Sequence, residues 1–111
     1  MLLGVVSNSE GGLAQLFAEL GLAELFDVLL DSHHEGVAKP DPEIFLRASR
    51  QLGVAPERCL YAGDIPEVDV VGALAAGMSA ALVDTLDAHR GYAGAPRFRS
   101  VVELVKALPP A

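Results

Sequence analysis

Residues 59–83 read CLYAGDIPEVDVVGALAAGMSAALV, and this stretch sets the expected fold of the chain. Two short apolar runs, 59–62 and 80–83, flank a segment at 66–76 whose apolar residues recur at helical spacing. Gly77 ends this helix. The predicted buried face of the helix consists of Val68, Val71, Leu74 and Ala75. A strand, a helix and a second strand in this order predict a β-α-β unit with parallel strands.

The same alternation continues toward the N-terminus. Strands are predicted at 2–6 and 27–31, the first of them apolar at consecutive positions, as in a parallel strand buried on both faces. Ser9 is the predicted N-cap of the helix between them. The apolar stripe of that helix is Leu13, Leu16, Phe17 and Leu20. Residues 32–40 are predicted to form a polar loop.

Two further helices are predicted from their end signals. Asp41 as N-cap and Pro42 at the first position open a helix to Leu52. Residues 84–99 are predicted to form a loop. Ser100 caps a last helix, which ends at Pro109 and Pro110 and has the stripe Val101, Leu104, Val105 and Leu108. Four strands and four main helices predict one α/β domain over residues 1–111.

The composition narrows the class of protein. The chain has 111 residues, of which 51% are hydrophobic, so it is not intrinsically disordered. It has no run of about 18 uncharged apolar residues and no basic region before its apolar start, so neither a membrane span nor a signal peptide is predicted. The net charge of −7 argues against a nucleic-acid partner. The single Cys59 cannot form an intrachain disulfide, which fits a cytoplasmic location.

Polar side chains follow the predicted strands. Ligands of parallel α/β sheets bind beyond the carboxyl ends of the strands. The first strand is followed by Ser7 and Asn8, the third by Asp64, and Lys39 lies in the loop after the second strand. A hydroxyl and an ammonium suit a phosphoryl group, and a carboxylate suits Mg²⁺. These residues predict a magnesium-assisted phosphate site.

Each of these residues also suits a purely structural role. Ser7, Asn8 and Asp64 belong to the types that cap helices, and a lysine before a Pro turn, such as Lys39, is commonly solvated. Asp69 lies where a carboxylate stabilises a helix N-terminus. The prediction of a site therefore depends on the residues lying together.

Three segments together resemble the haloacid dehalogenase (HAD) superfamily of hydrolases. VVSNS at 5–9, GVAKPDPEIF at 36–45 and YAGDIPEVDVVGALAAGM at 61–78 are similar to its second, third and fourth motifs, in that order. The resemblance implies a three-layer α/β/α Rossmann-like core with a mainly parallel sheet. It also implies a hydrolase of phosphatase type, although a minority branch of the superfamily attacks haloalkanoate carbon instead.

The resemblance further implies a role for each candidate residue. Ser7 would hydrogen-bond the transferring phosphoryl group, helped by the backbone at Asn8, and Lys39 would neutralise the charges of the nucleophile and the phosphate. Asp64 would ligate Mg²⁺, and Asp69 would support the metal directly or through its other ligands. The substrate would be a small phosphorylated molecule.

The chain departs from the superfamily pattern in two places. The first motif, a strand ending in D-x-D, supplies the nucleophile and the acid/base, and no D-x-D occurs in this sequence. The cap domain between the first and second motifs is also absent. We therefore expect the chain to correspond to the C-terminal portion of a larger hydrolase and to be inactive alone. The alternative is a non-catalytic binding or interaction module on the same scaffold, completed by a partner chain.

The missing first motif would also leave a gap in the sheet. The strand order of the superfamily is 5-4-1-2-3, so the absent first strand is the central one. Unpaired strand edges invite pairing with another chain. Either the first and third strands of this chain pair directly, or another chain, in a homo-oligomer or a partner, covers the open edges.

Overall fold

The structure is a computed structural model and describes residues 1–109. Strands and helices alternate along the described chain, which confirms the predicted α/β fold. The strands are β1 (Gly4–Ser7), β2 (Val28–Asp31), β3 (Leu60–Gly63), β4 (Ser79–Val83) and β5 (Arg97–Phe98). The helices are α1 (Leu13–Glu19), α2 (Ser32–Glu35), α3 (Pro42–Leu52), α4 (Val71–Ala75) and α5 (Val101–Ala107). No helix among these residues is long and apolar enough to cross a membrane.

The predicted ends of α3 and the predicted start of α5 are confirmed. Asp41 caps α3 by accepting a hydrogen bond from the Glu43 amide (2.9 Å), and Gly53 follows the helix with a φ of 71°. Ser100 caps α5 by accepting from the Glu103 amide (3.0 Å). The predicted stop at Pro110 lies outside the described residues. Local capping chemistry was sufficient to place these helix ends.

The prediction that Ser9 caps α1 is wrong, and so is the prediction of a loop throughout 32–40. Helix α1 begins only at Leu13 because the Asp31 carboxylate at the end of β2 accepts from the amides of Gly11 (3.0 Å) and Leu13 (3.2 Å). The same carboxylate accepts from the His33 amide (3.0 Å) and caps the short helix α2. One buried side chain thus fixes both the start of α1 and the start of α2.

The segment after β3 is helical as predicted, but it buries a different face. It opens with a wide π-helical turn, Pro66–Val70, before α4. Val71 and Leu74, predicted as buried, are 54% and 48% exposed. The small residues Gly72 and Ala73 face the core instead, because α4 lies so close to α3 that a Cβ at position 72 would overlap the Phe45 ring. Close helix packing, not side-chain size, selects the buried face.

The strands form two parallel sheets. The first sheet pairs β1 with β2 in the register Gly4↔Val28, and the second has the order β3-β4-β5. Strand β5 lies within the stretch 84–99 that was predicted to be a loop throughout, so this part of the prediction is wrong. The amide of Asp84 donates to the Phe98 carbonyl (2.7 Å), and the Arg97 guanidinium contacts the Asp84 carboxylate (2.8 Å). This long-range ion pair helps to hold the returning chain beside β4.

The expectation that β1 and β3 pair directly is wrong. No backbone ladder joins the two sheets within residues 1–109. Instead, the Tyr61 hydroxyl of β3 donates to the Val6 carbonyl of β1 (3.0 Å), so a side chain spans the distance between the strands. The Tyr61 ring packs edge-on against Phe45 with centroids 4.8 Å apart. The two sheets therefore share a core around α3 while their facing edges stay open.

Candidate active site

The carboxyl ends of β1 and β3 meet at one edge of the fold. Asn8 follows β1, Asp64 follows β3, and Lys39 lies between α2 and α3, where it is hydrogen-bonded to Asn8 and to Asp69 of the π-helical turn. Ser7 is the last residue of β1, is half-buried, and its hydroxyl has no hydrogen-bond partner among the described residues. The structure therefore brings the predicted site residues to the same place.

Asn8 positions the backbone of Lys39. Its Nδ2 donates to the Lys39 carbonyl (3.0 Å), and its Oδ1 accepts from the Lys39 amide (2.9 Å). The amide side chain of Asn8 is thereby used within the protein. Any contact of this residue with a phosphate would come from its backbone, as the family resemblance implies.

The Lys39 ammonium is held by two side chains. It lies 2.7 Å from Oδ1 of Asp69 and 3.0 Å from the Tyr61 hydroxyl, and the Lys39 side chain is only 13% exposed. Burial alone would lower the pKa of Lys39, but the hydrogen bonds to Asp69 and Tyr61 raise it above its ordinary value. The amine therefore stays a cation at neutral pH, available to a bound anion.

Asp69 serves the protein rather than presenting free oxygens. Its Oδ1 contacts Lys39, and its Oδ2 accepts from the amides of Asp64 and Ile65, each at 3.0 Å. The side chain is 3% exposed. Gly63 is required for this packing, because a Cβ at position 63 would overlap the Asp69 carboxylate. Of the two predicted metal carboxylates, Asp69 thus holds the Asp64 turn and Lys39 in place.

Asp64 is the carboxylate that faces solvent at this edge. Asp64 is exposed, and its side chain makes no hydrogen bond or ion pair within residues 1–109. No cluster of three or more metal-binding side chains occurs in that part of the chain. This donor set fits Mg²⁺, which proteins usually hold through one or two carboxylates while waters and substrate oxygens complete the coordination.

Tyr61 also belongs to the site, although no sequence pattern indicated a role for it. Its hydroxyl accepts from Lys39 and donates to Val6, so it links the cation to the open edge of β1. Burial raises the pKa of Tyr61, and the hydroxyl stays protonated to make the second bond. The available signal was a phenol in the apolar run LYAG (Leu60–Gly63), where only a buried partner would satisfy its hydroxyl.

The strand exits after β2 and β4 carry structural carboxylates. Asp84 after β4 is buried and accepts from the amides of Ala88 (2.9 Å) and His89 (2.8 Å) as well as from Arg97 (2.8 Å). Burial alone would raise the pKa of Asp84, but Arg97 and the two amides lower it to about 2. Asp84 therefore anchors the 84–97 loop, as Asp31 anchors the start of α1.

Parallel strands, flanking helices and a lysine–carboxylate pair at the strand ends define a Rossmann-like α/β protein with its site at the carboxyl edge. The family model of the haloacid dehalogenase-like hydrolases matches residues 2–77. The chain belongs to this family.

Curated relatives and a solved structure agree with that assignment. Phosphoserine phosphatase of Thermus thermophilus is 47% identical over 64 residues, which are 58% of this chain and 26% of the relative. Haloacid dehalogenase-like hydrolase domain-containing protein 3 of mouse is 41% identical over 81 residues, covering 73% of this chain and 32% of the relative. The HAD phosphatase of Thermococcus onnurineus superposes with a TM-score of 0.87 at 33% identity, over 95% of this chain and 49% of that one.

The described chain is thus short beside its relatives. It spans between a quarter and a third of the length of these two curated proteins and about half of the solved structure. The similarity covers the part of the fold that holds Lys39 and Asp64.

Proposed function

We propose that the chain carries the phosphate- and magnesium-binding part of a phosphatase-type phosphoryl-transfer site. One observation carries this proposal: Asp69 joins the Lys39 ammonium and the Asp64 turn at the carboxyl edge of the sheets. A cation and an exposed carboxylate are thereby held side by side. The names of the Thermus and Thermococcus relatives support the phosphatase branch.

Each residue of the site has its own role in binding a phosphoryl group. Lys39 offsets the negative charge of its oxygens, and the Ser7 hydroxyl, at the end of β1, donates a hydrogen bond. Asn8 and Tyr61 fix the position of Lys39 through its backbone and its ammonium. Because these groups are ordered before the ligand arrives, they contribute electrostatic stabilisation without reorganising. The substrate we propose is a small phosphorylated molecule.

Asp64 is the residue that would hold Mg²⁺. When bound, the ion supplies positive charge next to the phosphoryl oxygens. Asp69 contributes by bonding the amides of Asp64 and Ile65, which orients the turn that carries the Asp64 carboxylate.

The covalent step needs a nucleophile that these residues do not include. The superfamily that the chain resembles uses an Asp carboxylate from D-x-D, and this sequence has no D-x-D. The oxygens of Asp69 are bonded to Lys39 and to backbone amides, so Asp69 is not an available substitute. We therefore propose that residues 1–111 alone bind phosphate and Mg²⁺ but do not turn over a phosphate ester.

Binding is tested by NMR titration of the chain with MgCl₂ and then with inorganic phosphate. We expect the first shifts at residues 63–65, and shifts at Ser7 and Lys39 on addition of phosphate. Asp64→Asn should remove the magnesium response, whereas Glu67→Gln, which neutralises an exposed carboxylate three residues away, should retain it. Equal responses in both variants would contradict the metal assignment.

Catalysis is tested by hydrolysis of para-nitrophenyl phosphate in the presence of Mg²⁺. We expect no turnover above the buffer rate from the wild-type chain. Turnover that disappears in Asp64→Ala would show that the chain contains a complete site and would overturn the proposal that it is inactive alone.

A second candidate function is a non-catalytic binding module on the same scaffold, completed by a partner chain. The open facing edges of β1 and β3 favour it, because unpaired strand edges are templates for pairing with another chain. The two candidates differ in their readout: the first requires a magnesium response at Asp64, and the second requires a ligand on the open edges.

A further inference from the structure

The loop that follows β1 lies against the end of the neighbouring strand. We call residues 8–12 the β1–α1 loop, and residues 31–34, which span the end of β2 and the start of α2, the β2–α2 corner. The hydroxyl of the half-buried Ser32 accepts from the Ser9 amide and donates to the Ser9 carbonyl, both at 3.1 Å. One side chain of the corner thereby bonds both backbone groups of Ser9.

Two further side chains of the corner hold the far end of the loop. The Asp31 carboxylate accepts from the amides of Gly11 and Leu13. Nε2 of His34 donates to the Gly11 carbonyl (3.1 Å). Gly11 has a φ of 100°, and a Cβ there would lie 3.0 Å from the His33 ring, so glycine allows the loop to close against the corner. The corner therefore fixes the loop at Ser9 and again at Gly11.

The other side of the loop is joined to the cation of the candidate active site. Asn8 contacts the backbone of Lys39 through both polar atoms of its side chain. The β1–α1 loop is therefore held between Lys39 and the β2–α2 corner. Because Asn8 lies between Ser7 and Ser9 in the chain, any movement of Ser9 would shift the Ser7 hydroxyl relative to Lys39.

The contact with Ser32 also decides which amide of the loop faces a ligand. The Ser9 amide donates to Ser32, whereas the Asn8 amide makes no hydrogen bond within residues 1–109. The Val6 carbonyl accepts from Tyr61 on the β3 side, and alternate residues of a strand direct their backbone groups to the same side. The Asn8 amide therefore points toward the side of β1 on which β3 lies.

We propose that Ser32 is a positioning residue for phosphate binding, which holds Ser9 so that the Ser7 hydroxyl and the Asn8 amide face the phosphoryl group. Ser32 makes no contact with the phosphate itself and acts through the backbone of Ser9. Donors that are ordered before an anion arrives stabilise it without reorganising. The role of Ser32 rests on the proposed function and adds to it a residue outside the three motifs.

A hydroxyl is required at position 32 because it makes both bonds to Ser9. A hydroxyl donates one hydrogen bond and accepts others, whereas a carboxylate only accepts and a methyl group does neither. Threonine should therefore replace Ser32, and valine, which has the same shape without the hydroxyl, should not.

The test measures the affinity of the chain for inorganic phosphate by NMR titration in the presence of MgCl₂. We expect the dissociation constant for phosphate to rise about fivefold in Ser32→Val and to stay within about twofold of the wild-type value in Ser32→Thr. Ser32→Ala, which removes the hydroxyl without adding a methyl group, should match Ser32→Val. The response of residues 63–65 to MgCl₂ should be the same in all three variants, because the corner does not contact Asp64.

A local measurement checks the contact itself. The Ser9 amide loses its acceptor in Ser32→Val, so we expect its hydrogen exchange to become about fivefold faster than in Ser32→Thr.

Ser49→Ala is the control for a general loss of stability. It removes a buried serine hydroxyl that donates to the Leu46 carbonyl (3.0 Å) within α3 and has no contact with the β1–α1 loop. This variant should lose stability in urea while its phosphate affinity and the exchange of the Ser9 amide stay unchanged.

Three results would overturn the role of Ser32. Equal phosphate affinity in Ser32→Val and Ser32→Thr would show that the hydroxyl does not position the loop. An equal loss of affinity in Ser49→Ala would assign the effect to stability alone. Unchanged exchange of the Ser9 amide in Ser32→Val would contradict the contact, whatever the phosphate result. A wild-type chain that gives no phosphate response would instead contradict the proposed function, and the role of Ser32 with it.

Discussion

The Lys39 ammonium lies 2.7 Å from Oδ1 of Asp69, 30 positions further along the chain. The other carboxylate oxygen of Asp69 accepts from the amides of Asp64 and Ile65. One buried carboxylate thus joins the loop before α3 to the loop after β3. The same contact supports the fold and arranges the candidate active site, so variants of these residues should affect both.

Removing the cation should destabilise the fold. Lys39→Met leaves the Asp69 carboxylate buried without its charged partner, and we expect the free energy of unfolding to fall by about 3 kcal/mol. Urea denaturation measures the loss. Lys106→Met, which replaces the other lysine of the chain at an exposed position, should change stability by less than about 0.5 kcal/mol. Adding Asp69→Asn to Lys39→Met should recover part of the loss, and a further loss would contradict the ion-pair explanation.

The close approach of Asp69 to Gly63 leads to a second prediction. Gly63→Ala adds a methyl group where the carboxylate lies, and we expect a loss of about 2 kcal/mol in the free energy of unfolding. Gly12→Ala is the matched control, since a Cβ there meets nothing within 4 Å. The chemical shift of the Lys39 side chain should move in the first variant only. An unchanged Lys39 signal would show that Asp69 does not depend on Gly63.

The bridging hydroxyl of Tyr61 should contribute more to the stability of the fold than the hydroxyl of Tyr92, the only other tyrosine of the chain. Tyr61→Phe removes the hydroxyl that donates to the Val6 carbonyl and accepts from Lys39. We expect the free energy of unfolding to fall by about 1.5 kcal/mol. Tyr92→Phe should cost less than half as much, because no hydrogen bond of the Tyr92 hydroxyl occurs within residues 1–109. Thermal unfolding followed by circular dichroism gives both values. Similar melting temperatures for the two variants would remove the proposed bridging role.

Titration of Asp84 should make the stability of the fold depend on pH in the acidic range. Its pKa is about 2 in the folded chain against an ordinary value of 3.8. Because the folded-state pKa is the lower one, its contribution is complete above pH 3.8 and is lost as the pH falls toward about 2. The melting temperature of the wild type should therefore fall more steeply over this interval than that of Asp84→Asn. Arg97→Met, which removes the charged partner, should also flatten the curve, and an unchanged slope in both variants would contradict the assignment.

Much of the fold was predictable from short patterns. The Asp41-Pro42 start and Gly53 end of α3 depend on hydrogen bonds and φ values within a few residues of each other. The four predicted strands also lie within two residues of their expected positions, whereas β5 was not predicted. Patterns of this kind depend only on nearby residues, so the elements that they predict do not depend on how the rest of the chain packs.

The candidate site was predictable as a set of residues but not as an arrangement. The motifs identified Ser7, Lys39, Asp64 and Asp69 together. They did not show that one oxygen of Asp69 contacts Lys39 while the other accepts from backbone amides. Nor did they show that the Tyr61 hydroxyl accepts a hydrogen bond from Lys39. The contacts of Lys39 with Tyr61 and with Asp69 join positions 22 and 30 residues apart, where no local spacing rule applies.

Sequence patterns therefore determined the order of the first four strands and the main helices, and the family, because capping, periodicity and motif spacing are local properties. Tertiary structure decided which face of α4 is buried, that β5 pairs with β4, and that β1 and β3 remain apart. Each of these depends on how closely distant segments approach: Gly72 against Phe45, Arg97 against Asp84, and Tyr61 across to Val6. Such distances exist only once the chain has packed.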